Sequence, residues 1–286
     1  MRFAVIGLGE VGRCFAQALH QAGYPLGLCE ARPSPAAEAL ARSLGQPIHP
    51  VAGDWLKEAD WVLSCVTGTV ALAVARQMAP HMRQGAAIAD LTTASPGLKR
   101  EAAAFTKTLA VRYLDVAIMG GILARRERTP LLVAGEGADE FRLALEKIGS
   151  PVSTIDKGAA GDAMSLKILR SIFTKGMEAL SVELLMSAET QGVREKLYTQ
   201  LADIDQTPLR DFIDMLVCTH VVHAGRRGHE VGDAAAEMAS QGMPSTVLPG
   251  VQARFRQTAA ALEIHPHALP EPRIDQALGW LLAHTR

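Results

Sequence analysis

At 286 residues, 48% hydrophobic and 21% charged, the chain is long enough for two domains or one large one, and either buries enough apolar surface to fold without disulfide or metal staples. Lys+Arg 29 against Asp+Glu 30 leaves a formal net charge of -1. That balance gives no electrostatic footprint for nucleic acid or an anionic membrane, so the expected partner is a small neutral or anionic molecule.

The first half alternates short apolar or β-branched runs with helix-forming stretches, the pattern of β-α-β units and a doubly wound, mostly parallel sheet. Strands are predicted at 2–6, 25–30, 60–66, 86–91, 111–115 and 131–134, and helices at 11–22, 35–44, 69–79 and 96–108. Beyond Ile155 the strand signals stop. Residues 161–191 read as one long helix with Met164, Ile168, Phe173, Met177, Leu180 and Leu184 spread round it; a helix apolar on most sides is expected to be buried. Further helices are predicted at 193–203, 207–224, 228–241, 245–262 and 271–284, with breaks at Gly192, Thr207-Pro208, Gly242-Met243-Pro244 and His265-Pro266. The four cysteines, Cys14, Cys29, Cys65 and Cys218, form no C-x-x-C pair. No apolar run reaches the roughly 18 to 20 residues that span a bilayer, and the apolar start Phe3-Ala4-Val5-Ile6 runs straight into glycines without a leader pattern. Free thiols in a cytoplasmic protein are the expectation.

Gly7-Leu8-Gly9-Glu10-Val11-Gly12 is G-x-G-x-x-G, placed after an apolar strand and opening a helix. In that context it is a dinucleotide fingerprint. Gly7 permits the tight turn, Gly9 lets a pyrophosphate approach the backbone, Gly12 allows close helix–strand packing, and the helix N-terminus offers N–H groups and positive dipole to phosphate. The second strand ends at Glu30, where a carboxylate can accept from the adenosine ribose diol; Arg32 nearby could instead pair with a 2′-phosphate. NAD is favoured and NADP stays open. Glu10, Val11 and Thr67 complete the expected cofactor contacts. The predicted architecture is an α/β Rossmann domain at 1–156, doubly wound and mostly parallel, followed by an all-α domain at 157–286.

On the long helix, Lys167, Ser171, Thr174 and Glu178 share one face. Periodicity leaves open whether that polar stripe meets solvent or a wet cleft. Gly158-Ala-Ala-Gly161-Asp-Ala163-Met-Ser-Leu-Lys167 resembles the G-x-x-G-x-G-x-x-x-K-x-x-x-N signature of the β-hydroxyacid dehydrogenases, the family of 3-hydroxyisobutyrate and 6-phosphogluconate dehydrogenases. Asp90-Leu-Thr-Thr93-Ala-Ser-Pro96 is similar to that family's D-x-S-T-x-x-P, and Asp115-Val-Ala-Ile-Met119-Gly120-Gly121 to its D-A-P-V-S-G-G. The segment from Leu166 to Glu178 resembles a variant phosphogluconate-dehydrogenase-like helical domain.

The resemblance implies hydride transfer between nicotinamide and a hydroxyl-bearing carbon, with Lys167 as general acid and base, Thr93 near the nicotinamide, and the N–H groups of Gly120 and Gly121 facing a substrate carboxylate. It also implies a homodimer or higher homo-oligomer built through the helical half. A lysine acts as base near neutrality only if burial or neighbouring charge lowers its pKa. Three positions depart from the family pattern: its serine is Met119 here, its asparagine is Ser171, and its third glycine is Ala163. The first two remove polar contacts, which points to a bulkier or partly apolar substrate. Imine reductases share the architecture and usually lack lysine at this position, while a sensor or scaffold protein that binds dinucleotide without turnover would need only the glycines. His220 and His223, followed by Arg226 and Arg227, could complete a substrate pocket or bind an anion, though a structural or subunit-contact role is commoner; no metal site is expected.

Overall fold

The computed structural model describes residues 1–286. Met1–Ile172 and Phe173–Arg286 are two compact units. In the first, the elements run β1 (Phe3–Ile6), α1 (Glu10–Gln21), β2 (Leu26–Cys29), α2 (Pro35–Leu44), β3 (Ile48–His49), β4 (Trp61–Ser64), α3 (Ala71–Met78), β5 (Ala87–Asp90), α4 (Pro96–Lys107), β6 (Arg112–Ile118), the short α5 (Ile122–Arg125), β7 (Leu131–Ala134), α6 (Ala138–Glu146) and β8 (Val152–Thr154). The sheet has eight strands in the order β3-β2-β1-β4-β5-β6-β7-β8. All neighbours are parallel except β6 and β7. β1 lies between β2 and β4, so the strand order reverses there, and open α/β sheets bind ligands at such a point.

Local chemistry sets the helix ends. Ser34 and Ser95 accept from Ala37 and Leu98 N–H, each followed by a proline in the first turn. The sheet is buried on both faces: Phe3, Phe15, Leu28, Trp61 and Phe141 pack on one side, Leu56, Val62, Met78 and Ile88 on the other. The four cysteines are free thiols, and burial pushes that of Cys29 up to about 11.

The second unit contains the greater part of α7 (Asp162–Thr190), then α8 (Arg194–Gln200), α9 (Ala202–Asp205), α10 (Leu209–Ser240), α11 (Leu248–Ile264) and α12 (Ile274–His284). Within it α10 packs against α11 and α12. Glu183 of α7 accepts from Thr246 N–H (2.8 Å) and Val247 N–H (3.2 Å), which satisfies donors at the start of α11. No helix is long and apolar enough to cross a membrane.

Several expectations need correction. The helices predicted at 207–224 and 228–241 are one helix of 32 residues. Gly228 does not break it, because the missing side chain lets Phe255 approach: a Cβ there would lie 3.3 Å from that of Phe255. The strand predicted to end at 115 continues to Ile118, paired with β7 from Asp115↔Ala134 to Ile118↔Leu131. β3, β8 and α6 were not anticipated; each strand has three residues or fewer, too few to show a period. The predicted helix 193–203 is the pair α8 and α9. Nor is α7 buried as its all-round apolarity suggests, since Ile172, Val182 and Met186 are 67%, 53% and 55% exposed.

Candidate dinucleotide and lysine site

The glycine turn is built as its sequence dictates. Gly7 has φ +88, a left-handed conformation disfavoured for residues with a Cβ. A Cβ on Gly12 would lie 1.8 Å from the Gly7 carbonyl oxygen, so α1 can start this close to β1 only with glycine there. Gly9, the N-cap of α1, is exposed, with nothing within 4 Å of where a Cβ would stand. That open space lies where phosphate would approach the first-turn amides. Glu30 reaches across from the end of β2: its Oε2 accepts from Leu8 N–H at 2.9 Å, and its Oε1 from Arg32 N–H at 3.2 Å. The Arg13 guanidinium donates to the Leu8 carbonyl at 2.9 Å. A carboxylate and a cation thus hold the N–H and the carbonyl of one residue of the turn. Thr67 and Thr93 are exposed at the ends of neighbouring strands, and Gly68 packs so closely on Thr93 and Ala94 that a Cβ would meet the Ala94 nitrogen at 2.7 Å.

Beneath Lys167 lies a group of charges that the sequence reading did not assign. Asp90 and Asp115 face each other in the β5–β6 register, both buried. Lys99, on α4, is 0% exposed. Its Nζ lies 2.7 Å from Asp115 Oδ1, a close ion pair outside hydrogen-bonding geometry, and donates to the Asp90 carbonyl at 2.9 Å. Tyr113 donates its hydroxyl to Asp90 Oδ2, and Thr92 N–H donates to Asp90 Oδ1. Burial next to Asp90 pushes the Tyr113 hydroxyl well up, so it stays a donor. Asp115 Oδ2 accepts from Gly161 N–H (3.1 Å) and Met164 N–H (2.9 Å), pinning the start of α7. Gly161 has φ +96, and a Cβ there would lie 2.8 Å from the Pro96 carbonyl oxygen. Ala163, in the third glycine's place, is fully buried against Ala117 and Ala134, which leave room for its methyl. Lys167 follows one turn later, half-buried. Burial lowers its pKa, Lys99's charge lowers it further, and Asp115 opposes them.

Residues 2–166 match the family model of the NAD binding domain of 6-phosphogluconate dehydrogenase. The chain belongs to that family. It is a Rossmann-fold oxidoreductase related to the 3-hydroxyacid and 6-phosphogluconate dehydrogenases. Residues 188–258 match a domain of unknown function, DUF1932. An uncharacterised 28.5 kDa protein of Methanothermus fervidus is 28% identical over 81% of this chain and 88% of its own length. Human mitochondrial 3-hydroxyisobutyrate dehydrogenase is 24% identical over 67% of this chain and 56% of its length, so the chain spans little more than half of that relative. A conserved hypothetical protein of Sinorhizobium meliloti matches with a TM-score of 0.62 at 27% identity, covering 99% of this chain and 96% of that one. In fold alone, an imine reductase of Myxococcus stipitatus in complex with NAD+ matches with a TM-score of 0.77 at 18% identity, covering 98% and 99%.

The other predicted residues of this oxidoreductase lie at the end of β6, within α7 and around the glycine turn. Met119 is half-buried at the end of β6, with its N–H spent on the Pro130 carbonyl at 2.8 Å, while Gly120 and Gly121 are exposed and lead into α5. Ser171 is half-buried one turn after Lys167; Glu178 is exposed and paired with Lys175. Glu10, Val11 and Arg32 stand at the surface or half-buried around the turn. The missed residues had a signal: an acid ends one of two predicted neighbouring strands and the other predicted strand carries one close to its end, and a lysine follows on the helix between them. Two like charges facing each other in a buried sheet require a cation.

Proposed function

We propose that the protein transfers a hydride between a bound nicotinamide and a hydroxyl-bearing carbon of a hydroxyacid or related alcohol, with Lys167 as general acid and base. One observation carries this reading: Lys167 is half-buried beside the like charge of Lys99, on a helix whose start Asp115 ties to the same sheet that ends in the glycine turn. With its pKa lowered, more of the amine is neutral near pH 7, as a base for a hydroxyl proton requires. The turn fits a dinucleotide, since Gly9 leaves room, α1 supplies first-turn amides, and Glu30 ends the strand where a ribose would lie.

The bound nicotinamide supplies the hydride acceptor. In the oxidative direction Lys167 Nζ takes the hydroxyl proton while the carbon loses hydride with its electron pair and becomes a carbonyl. In reverse Lys167 returns the proton. Gly120 and Gly121 orient a substrate carboxylate through backbone N–H groups, Thr93 flanks the nicotinamide, and Met119 with Ser171 favours a bulkier, partly apolar substrate over a small hydroxyacid. Two copies of the chain cover the apolar residues of α7.

The test is Lys167→Met. It should lower kcat at least about 10²-fold, the lower scale of general acid–base catalysis, with dinucleotide affinity unchanged. Substrates are found with a panel of hydroxyacids, sugar acids, aryl alcohols and cyclic imines, read by the absorbance of reduced nicotinamide with each cofactor. Turnover of imines alone would overturn the alcohol reading in favour of imine reduction. Dinucleotide binding without turnover of any class would point to a sensor.

A further inference from the structure

Where α10, α11 and α12 meet, a cavity of about 340 Å³ is walled by Val217, Phe255 and Leu281 and edged by His220, Arg227 and Arg254. Every polar side chain among these is cationic or can become so. The ion pairs within the helical unit join Lys175 to Glu178, Arg194 to Glu189 and Glu195, and Arg226 to Glu230; neither Arg227 nor Arg254 belongs to one. Neutral groups hold both guanidiniums in place. Arg227 donates to Thr219 Oγ1 at 2.9 Å, and Arg254 to Gln257 Oε1 at 3.1 Å and Thr285 Oγ1 at 2.9 Å.

His220 is fixed as well. The hydroxyl of fully buried Thr258 donates to the Arg254 carbonyl (3.3 Å) and so accepts from His220 Nε2–H (2.8 Å), while the imidazole packs on Phe255 at 4.8 Å. Burial, then the charges of Arg254 and Arg227, hold the imidazole below its usual range, so it is neutral at pH 7. Two guanidiniums that line one apolar cavity, each held by neutral groups and both acting on His220, leave its edge positively charged. A carboxylate at that edge offsets the charge and gains charge-assisted hydrogen bonds.

We propose that this cavity binds a small monocarboxylate with an apolar body, its charge between Arg227 and Arg254 and its body against Val217, Phe255 and Leu281. The site lies wholly within the helical unit and needs neither the dinucleotide nor Lys167, so it stands or falls apart from the hydride-transfer reading.

Calorimetric titration of the full chain with phenylacetate tests it, with 2-phenylethanol as the uncharged analogue and inorganic phosphate as the bare anion. Phenylacetate should bind with a dissociation constant of about 1 mM or below, and the other two at least about tenfold more weakly. The double variant Arg227→Gln, Arg254→Gln should lose at least about tenfold in phenylacetate affinity while keeping the parent's melting temperature and dinucleotide binding. If that variant does not fold, Val217→Trp decides, because it fills the cavity and leaves both arginines in place. Absence of phenylacetate binding, equal binding of 2-phenylethanol, or undiminished affinity in the folded variants overturns the proposal.

Discussion

α1 and α7 both follow a glycine and both carry many apolar residues, yet they place them differently. In α1 the apolar positions fall on one side: Cys14, Phe15, Ala16, Ala18 and Leu19 are buried, while Glu10 and His20 are exposed. In α7 they go all the way round, and from Leu166 to Met186 most stay exposed in a single chain. Each large apolar side chain left in water forgoes about 1.5–3 kcal/mol. The sheet unit therefore buries its apolar residues within one chain, whereas α7 leaves an apolar surplus exposed, which the proposed pairing of two copies would cover.

The sharpest way to break that contrast is Val182→Asp. In a symmetric dimer through α7 the substitution buries a charge twice, at several kcal/mol per ion. Sedimentation should show association weakened more than about 10³-fold, with the helical dichroism of the monomer unchanged. A parent chain that is already monomeric at micromolar concentration would remove the contrast altogether.

Next in size is Lys99→Met, which probes how closed the sheet unit is. Removing one partner of a buried ion pair should cost about 3–5 kcal/mol in urea denaturation, against about 0.5 kcal/mol or less for a surface lysine. It also has a kinetic signature. Loss of the Lys99 charge leaves Asp115 unopposed, and both changes raise the pKa of Lys167. The rise of kcat/KM with pH should therefore move to higher pH.

The two glycines should then separate cleanly. Gly12→Ala forces a backbone contact and should cost about 1–3 kcal/mol or more of stability. Gly9→Ala, facing open space, should stay within about 0.5 kcal/mol of the parent in stability and lose dinucleotide affinity instead. The smallest effect concerns the ribose. We expect kcat/KM to favour NAD over NADP by about tenfold, and Glu30→Gln to narrow the ratio, since an amide oxygen can still accept from Leu8 N–H but no longer repels a 2′-phosphate. A clear preference for NADP would mean that Arg32 governs this end of the site.

What could be read in advance divides along the same line. The glycine turn, Glu30 and the strand-helix alternation are local, each set by a few adjacent residues, and they stand in the structure where the pattern puts them. Lys99 was hidden because a lysine beside Arg100 and Glu101 in an alanine-containing helix reads as solvent-facing; only the pairing of β5 with β6 brings Asp90 and Asp115 together and gives it a reason to be buried. α7 misled for a different reason. Its composition says that its residues should be covered, but composition does not specify what covers them.

The Asp115 carboxylate at the head of α7 also bears on amide exchange. Gly161 and Met164 N–H groups are bonded to a side chain that is itself fully buried and ion-paired, so fraying, which usually releases a helix's first amides within the most mobile class, is closed to them. Their protons should leave only when the β5–β6 region opens, making them among the slowest to exchange with deuterium in the free protein. Those two amides would report on the integrity of the sheet from within two turns of Lys167, before any ligand is added.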